Sequence, residues 1–361
     1  MPVNTSRTTY REHTDTENIL KLRQVLSTLP AFCKDYFRAI DSTTTTKTRI
    51  SYAYDIRIFF QFLLDENPAF KNYAMTDFSV AVLDQIKAVD LEEYMEYLKV
   101  YQNGDKTETN GERGLKRKIS ALRSFYAYYY KREMIHTNPT VLIDVPKIHD
   151  KSIIRLDTDE VALLLDYIEH CGDSLTGQKR VYYEKTKERD LAIVTLLLGT
   201  GIRVSECVGL DIEDVDFKNN GIKIRRKGGY ETVVYFGDEV QDALLDYLEQ
   251  RHHVIPCEGH EEALFLSLQN RRITVRAVEN LVKKYASRVT TLKHITPHKL
   301  RSTYGTALYQ ETGDIYLVAD VLGHKDVNTT RKHYAAQEDA RKRRAANAVQ
   351  LREHYNPGLH E

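Results

Sequence analysis

The sequence predicts a mainly helical protein of two domains, with one small antiparallel β-sheet in the second. Three observations lead there. The chain has 361 residues, 42 % of them hydrophobic, which is ample for cores but long for one compact domain. Apolar residues recur at helical spacing along most of the chain. Alternating or β-branched runs stand out in one place, Gly221-Ile222-Lys223-Ile224-Arg225-Arg226 and Glu231-Thr232-Val233-Val234-Tyr235-Phe236, which flank Lys227-Gly228-Gly229-Tyr230 and read as a hairpin.

In chain order, residues 1–24 form a polar leader, expected to be unstructured over 1–17 because it has no apolar face to offset its ordering. Residues 25–145 make the first domain. Leu29, Phe32, Tyr36 and Ile40 predict a first helix, and the tract Ser42-Thr43-Thr44-Thr45-Thr46 offers capping hydroxyls to a second one through Ile50, Tyr54, Ile58 and Phe62, ending near Asn67-Pro68. An acidic helix follows over about Asp90 to Tyr101, then a polar loop from Gln102 to Gly111. The basic helix Gly114 to Arg132 buries Ile119, Leu122, Phe125, Tyr126 and Tyr129, while Lys116, Ser120, Arg123 and Ala127 share another face. That face reads either as a solvated helix surface or as one that lies against a phosphate backbone. The same two readings apply to Thr44, Lys47 and Arg49.

Asn138-Pro139 and Pro146-Lys147 interrupt the helical pattern, so a linker is placed at 146–156, a second domain at 157–345 and a tail at 346–361. Asp157 with Glu160 resembles a capping box. A polar stretch from Gly172 to Lys187 reads as a long loop before the apolar helix Leu191 to Leu198. After the hairpin, helices are expected at Glu239–Gln250, Val275–Val289, Pro297–Gln310 and beyond Tyr334.

With 29 % charged residues and no apolar run of about 18, a membrane span is excluded as a class, and nothing at the start resembles a secretory segment. A cytoplasmic protein is expected. Cys33, Cys171, Cys207 and Cys257 lie far apart, which fits a reducing compartment. The 52 basic and 52 acidic residues cancel, so any polyanion must be met by local patches. Metal-ligand spacings fail too: Pro297 interrupts the helix that would align His294 with His298, and His252, His253, Cys257 and His260 straddle a Pro/Gly loop. Neither metal nor cofactor is expected.

Several pieces could carry chemistry. In Thr296-Pro297-His298-Lys299-Leu300-Arg301, Thr296 can cap a helix and Pro297 fits its first position. His298 and Arg301 then share the first turn, either as a phosphate site or as a surface pair. Gly199-Thr200-Gly201-Ile202-Arg203-Val204-Ser205-Glu206 fails the dinucleotide fingerprint, because Val204 stands where the third glycine is needed. It places Arg203 at a glycine-marked helix end, with Glu206 near enough to orient it. Leu322-Gly323-His324 ends a helix and puts His324 in a turn.

Together these pieces resemble the tyrosine recombinase family of phage integrase and Xer type, in the order in which that family arranges its active site. Its T-G-x-R-x-S-E becomes Thr200 to Glu206 with Arg203. The hairpin lysine of a K-G turn becomes Lys227, and H-x-x-R becomes His298 and Arg301. The L-G-H turn supplies His324, and the nucleophile is Tyr334. The resemblance covers roughly residues 157–345, and the helical first domain resembles the family's core-binding domain in general pattern. One departure is that His324 and Tyr334 stand ten positions apart where the family commonly shows nine, read here as a one-residue turn insertion.

The resemblance implies that Tyr334 attacks a DNA phosphodiester, giving a 3′-phosphotyrosine and a 5′-hydroxyl without ATP or metal. It implies Arg203, Arg301 and His324 on the non-bridging oxygens, Lys227 as the acid for the leaving oxygen, His298 as an aid to tyrosine deprotonation and Glu206 as a support for Arg203. Its implied partners are double-stranded DNA carrying specific recombination sites, a homotetramer on paired sites into which the basic tail docks, and accessory proteins. Both dimer resolution and mobile-element integration or excision fit. Type IB topoisomerase-like relaxation and a non-catalytic architectural DNA-binding protein are the alternatives.

Overall fold

The structure is a computed structural model that describes residues 10–146, 154–226, 229–324 and 326–327. The chain divides into two units, Met1–Lys151 and Ser152–Glu361. No helix of the described residues is long and apolar enough to cross a membrane.

The N-terminal unit runs α1 (Tyr10–Leu26), α2 (Cys33–Ala39), α3 (Thr46–Glu66), α4 (Ala88–Tyr97), β1 (Val100–Asn103), β2 (Lys106–Thr109) and α5 (Glu112–Lys131). Its core is aromatic. Phe125 and Tyr129 of α5 stand one helical turn apart and meet edge to face at 5.0 Å, and Phe125 meets Tyr36 of α2 at 5.2 Å. Each such pair adds roughly 0.5–1.5 kcal/mol beyond area burial. The five residues expected to form the buried stripe of α5 are all buried. Thr45 caps α3, its hydroxyl accepting from the Thr48 N–H at 3.3 Å, and α3 stops before Asn67-Pro68.

Three expectations change here. The leader is helical from Tyr10 onward, because the buried Leu22 and Val25 anchor α1 and its polar first turns propagate from them. The first expected helix is shorter, since α2 begins only after Pro30, at Cys33. The polar loop from Gln102 contains a hairpin, with β1 antiparallel to β2 and Asn103 opposite Lys106. Its turn places Gly104 at φ +62°, a conformation that glycine adopts without strain.

The C-terminal unit runs α6 (Thr158–His170), α7 (Gly177–Thr200), α8 (Val204–Cys207), β3 (Val215–Asp216), β4 (Gly221–Arg225), β5 (Glu231–Tyr235), α9 (Asp238–His252), α10 (Val275–Val289), α11 (Pro297–Thr312) and α12 (Ile315–Leu322). The sheet has the order β3-β4-β5, with Gly221 opposite Tyr235 and Arg225 opposite Glu231. The short β3 has no signal of its own in the sequence. An aliphatic core containing Leu164, Ile193, Val194 and Leu197 ties α6 and α7 to the sheet.

Here the expected loop from Gly172 to Lys187 is wrong. A short 3₁₀ turn covers Cys171–Ser174, and α7 already begins at Gly177. The stretch is rich in Lys, Glu and Arg, which are good helix formers. Tyr183 and Thr186 are buried, and the Tyr183 hydroxyl donates to the Ile168 carbonyl of α6 at 2.9 Å. The expected apolar helix is the last third of a longer one.

Candidate active site

Three backbone features meet at one place in the C-terminal unit. Helix α7 ends at Thr200, with Gly201 left-handed at φ +62°. A side chain at Gly201 would put its Cβ 2.3 Å from the ring of Tyr304, so glycine is required there twice over. Helix α12 ends at Leu322, with Gly323 left-handed at φ +60°. Helix α11 starts at Pro297, and its first turn carries His298 and Arg301.

Arginines join these ends. Arg301 is 4 % exposed and donates from its two terminal nitrogens to the carbonyls of Gly201 and Leu322. Arg203, the residue before α8, donates to the Glu206 carboxylate at 2.8 Å and to the Gly323 carbonyl at 3.3 Å. The same carboxylate accepts the Arg203 backbone N–H at 2.8 Å, so Glu206 fixes both ends of the arginine. The His324 backbone N–H donates to the Ala319 carbonyl at 2.8 Å, which sets the turn that presents its ring.

A third guanidinium is present that sequence reasoning missed. Arg226 lies just past β4, and its Nη2 donates to the Val321 carbonyl at 2.6 Å. Three successive carbonyls, of Val321, Leu322 and Gly323, thus take guanidinium donors from three different elements. These are among the carbonyls that a helix end leaves without intrahelical partners. The signal was there, because the alternation of β4 leaves Lys223 and Arg225 exposed and Ile222 and Ile224 buried, which turns Arg226 inward. Burial holds the Arg226 guanidinium below its ordinary pKa; Arg203 adds to that effect, while Glu206 and Asp320 oppose it.

The structure brings Arg203, Glu206, Arg301 and the His324 turn together. His298 is exposed on the first turn of α11. The Thr296 hydroxyl does not cap that helix; its carbonyl instead accepts from the Lys299 N–H at 2.7 Å. Lys227 and Tyr334 lie outside the described residues, as do the His324–Tyr334 spacing and the helix expected after Tyr334. Of the other tyrosines nearby, Tyr304 is half-buried against Gly201, and burial raises its phenol pKa. Cys207, in α8, is fully enclosed, and burial pushes its thiol up to about 12, so it is no thiolate nucleophile at neutral pH.

In the N-terminal unit the candidate DNA-facing residues separate. Lys47, Lys116 and Ser120 are exposed. Thr44 donates to the Ile40 carbonyl at 2.6 Å, Arg49 pairs with Asp41 at 2.5 Å, and Arg123 donates to the carbonyls of Thr140 at 3.0 Å and Ile143 at 2.8 Å. Thr44, Arg49 and Arg123 are thus half-buried and engaged within their own unit.

The phage integrase family model matches residues 155–341. The chain is 33 % identical over 321 residues to the tyrosine recombinase XerC of Caldanaerobacter subterraneus subsp. tengcongensis, covering 87 % of this chain and 84 % of that protein. It is 30 % identical over 340 residues to the tyrosine recombinase XerS of Lactococcus lactis subsp. cremoris, covering 87 % and 93 %. Among solved structures, XerH site-specific recombinase bound to difH substrate superposes with a TM-score of 0.60 at 19 % identity, over 95 % of this chain and 90 % of that one, a likeness of fold. The chain belongs to the phage integrase family of tyrosine recombinases, enzymes of site-specific recombination that cleave and rejoin DNA.

Proposed function

We propose that the arginine-lined turn is the seat of the scissile phosphate. The observation that carries this reading is the convergence of Arg203 and Arg301 on the carbonyls beside His324. Guanidinium groups held in place beforehand stabilise the charge of a pentavalent phosphorus without reorganising during the reaction.

In this reading the Tyr334 oxygen attacks phosphorus and its proton leaves with help from His298. The bond from phosphorus to O5′ breaks, and that oxygen takes a proton from Lys227. A 3′-phosphotyrosine and a 5′-hydroxyl result, and attack by an incoming 5′-hydroxyl reverses the steps. The phosphoester bond is exchanged for another, so no ATP is consumed, and cationic side chains serve where other nucleases use a metal. Glu206 orients Arg203.

The N-terminal unit, in this reading, is a core-binding domain that meets the DNA backbone through Lys47, Lys116 and Ser120. The assembly is a homotetramer on two recombination sites in the cytoplasm. Its task is dimer resolution or the integration and excision of a mobile element, with accessory proteins setting direction.

The test uses suicide duplexes nicked near the crossover, drawn from DNA flanking the gene. Wild type should form a covalent adduct on a denaturing gel and Tyr334→Phe should not. An adduct that persists in Tyr334→Phe would move the nucleophile elsewhere. Strand exchange between paired sites, followed on the same substrates, separates recombination from simple relaxation.

A further inference from the structure

Arg226 is held at two points of one turn. Its Nη2 donates to the Val321 carbonyl at 2.6 Å. Its Nη1 is buried, makes no hydrogen bond among the described residues, and lies over Gly323, where an added Cβ would come within 2.0 Å of it. Gly323 in turn carries the carbonyl that receives Arg203, and the next residue is His324. On the other side Arg226 is fixed by the hairpin, its backbone N–H donating to the Tyr230 carbonyl at 2.8 Å and its own carbonyl accepting from the Gly229 N–H at 3.0 Å. One side chain therefore joins the hairpin to the turn that bears the histidine.

We propose that Arg226 is a positioning residue for the cleavage step: it presses the Val321–Gly323 turn against the end of β4 and so sets where His324 and Arg203 meet the phosphate. The proposal rests on the reading of Arg203 and His324 as phosphate ligands. Its planar group is what the contact needs, because a lysine ammonium can reach one carbonyl but cannot also lie flat over a glycine. The fold does not depend on it alone. Arg301 and Arg203 hold the neighbouring carbonyls, so removing Arg226 shifts the turn without freeing it.

The experiment is single-turnover release of the labelled 5′-hydroxyl strand from a suicide duplex that wild type cleaves, with either a phosphate or a methylphosphonate at the scissile position. The methylphosphonate lacks one charged oxygen, so a defect in stabilising charge shrinks on it, whereas a general loss of structure does not. Arg226→Ala should slow release from the phosphate by about 10- to 100-fold, somewhat less than the loss of a direct oxyanion donor. Its DNA affinity and melting temperature should stay near wild type, its defect should narrow on the methylphosphonate, and Arg226→Lys should recover part of the rate. Gly323→Ala should be damaging in the wild-type background and less so beside Arg226→Ala, where the clash is gone.

Wild-type rates in Arg226→Ala, equal losses on both substrates, additive effects with Gly323→Ala, or an Arg226→Ala protein that does not fold would each overturn the proposal. Arg203→Ala is run alongside. If its defect is the same on both substrates, it is the phosphate-site reading that fails, whatever Arg226 does.

Discussion

Two groups of cationic side chains, one in each unit, are held in opposite ways. In the N-terminal unit, Asp55 of α3, 3 % exposed, meets two cations of α5 at once, Arg117 in direct contact and Lys118 at 3.5 Å. Here cations are answered by a carboxylate, two of them by one. Burial raises the Asp55 pKa, against the pull of Arg117 and Lys118. In the C-terminal unit, Arg226 and Arg301 donate to backbone carbonyls, which fix a guanidinium in space without neutralising it. A matched cluster specifies packing. Backbone carbonyls orient a guanidinium by hydrogen bonds rather than by an opposing charge.

The contrast can be broken at several points. The largest effect is expected at Arg301. Its replacement by alanine removes the proposed donor to the phosphate and leaves the Gly201 and Leu322 carbonyls without that donor, so release from a suicide duplex should fall by about a thousandfold or more. Burst kinetics on that duplex, read against DNA affinity, would show it, and near-normal cleavage would sink the assignment of the site. Asp55→Ala should instead act on stability, costing about 3–5 kcal/mol in urea unfolding because it strands Lys118 and part of Arg117 in an apolar setting. Replacing all three of Asp55, Arg117 and Lys118 by apolar residues of similar size should recover most of that loss, whereas no apolar set should restore cleavage at Arg203 and Arg301.

Gly201→Ala comes next, with a left-handed backbone and the Tyr304 ring both opposing a side chain. About 1–3 kcal/mol of stability should be lost, together with cleavage, since Arg301 hangs from the Gly201 carbonyl. The smallest effect concerns Lys293, which binds Asp157 at 2.9 Å and Glu160 at 2.5 Å at the start of α6. The hydrogen bond from Lys293 holds the Asp157 carboxyl below its ordinary value of 3.8. Its stabilisation is therefore present above that value and is lost as pH falls through the lower, folded one. Asp157 is exposed and Lys293 only partly buried, so Lys293→Met should remove about 1 kcal/mol or less at neutral pH and should flatten the acid limb of the stability curve below pH 4.

Most helices were legible because their cores are periodic. The stripe of α5, the span Val275–Val289 and the glycine stops after Thr200 and Leu322 depend on side chains a few residues apart. Two of the misreadings share a cause. The start of α1 and the first turns of α7 are polar, and both owe their helicity to a few buried anchors, Leu22 and Val25 in one and Tyr183 and Thr186 in the other, which a rule about polar stretches does not weigh. The β1–β2 hairpin carried its own turn signal in Asn103-Gly104, overlooked because the strands around it are mostly exposed.

By itself the sequence determined the residue types of the candidate site, their order along the chain and the glycine-marked ends that hold Arg203 and His324, because all of these are local. Only the tertiary structure decided that Arg301, Arg203 and Arg226 divide three consecutive carbonyls among them. It also turned Arg123 and Arg49 toward their own loops while leaving Lys47 and Lys116 exposed. The physical reason is that a guanidinium takes its direction from acceptors that lie up to 120 positions away, as Gly323 does from Arg203. No periodicity in the chain encodes that distance.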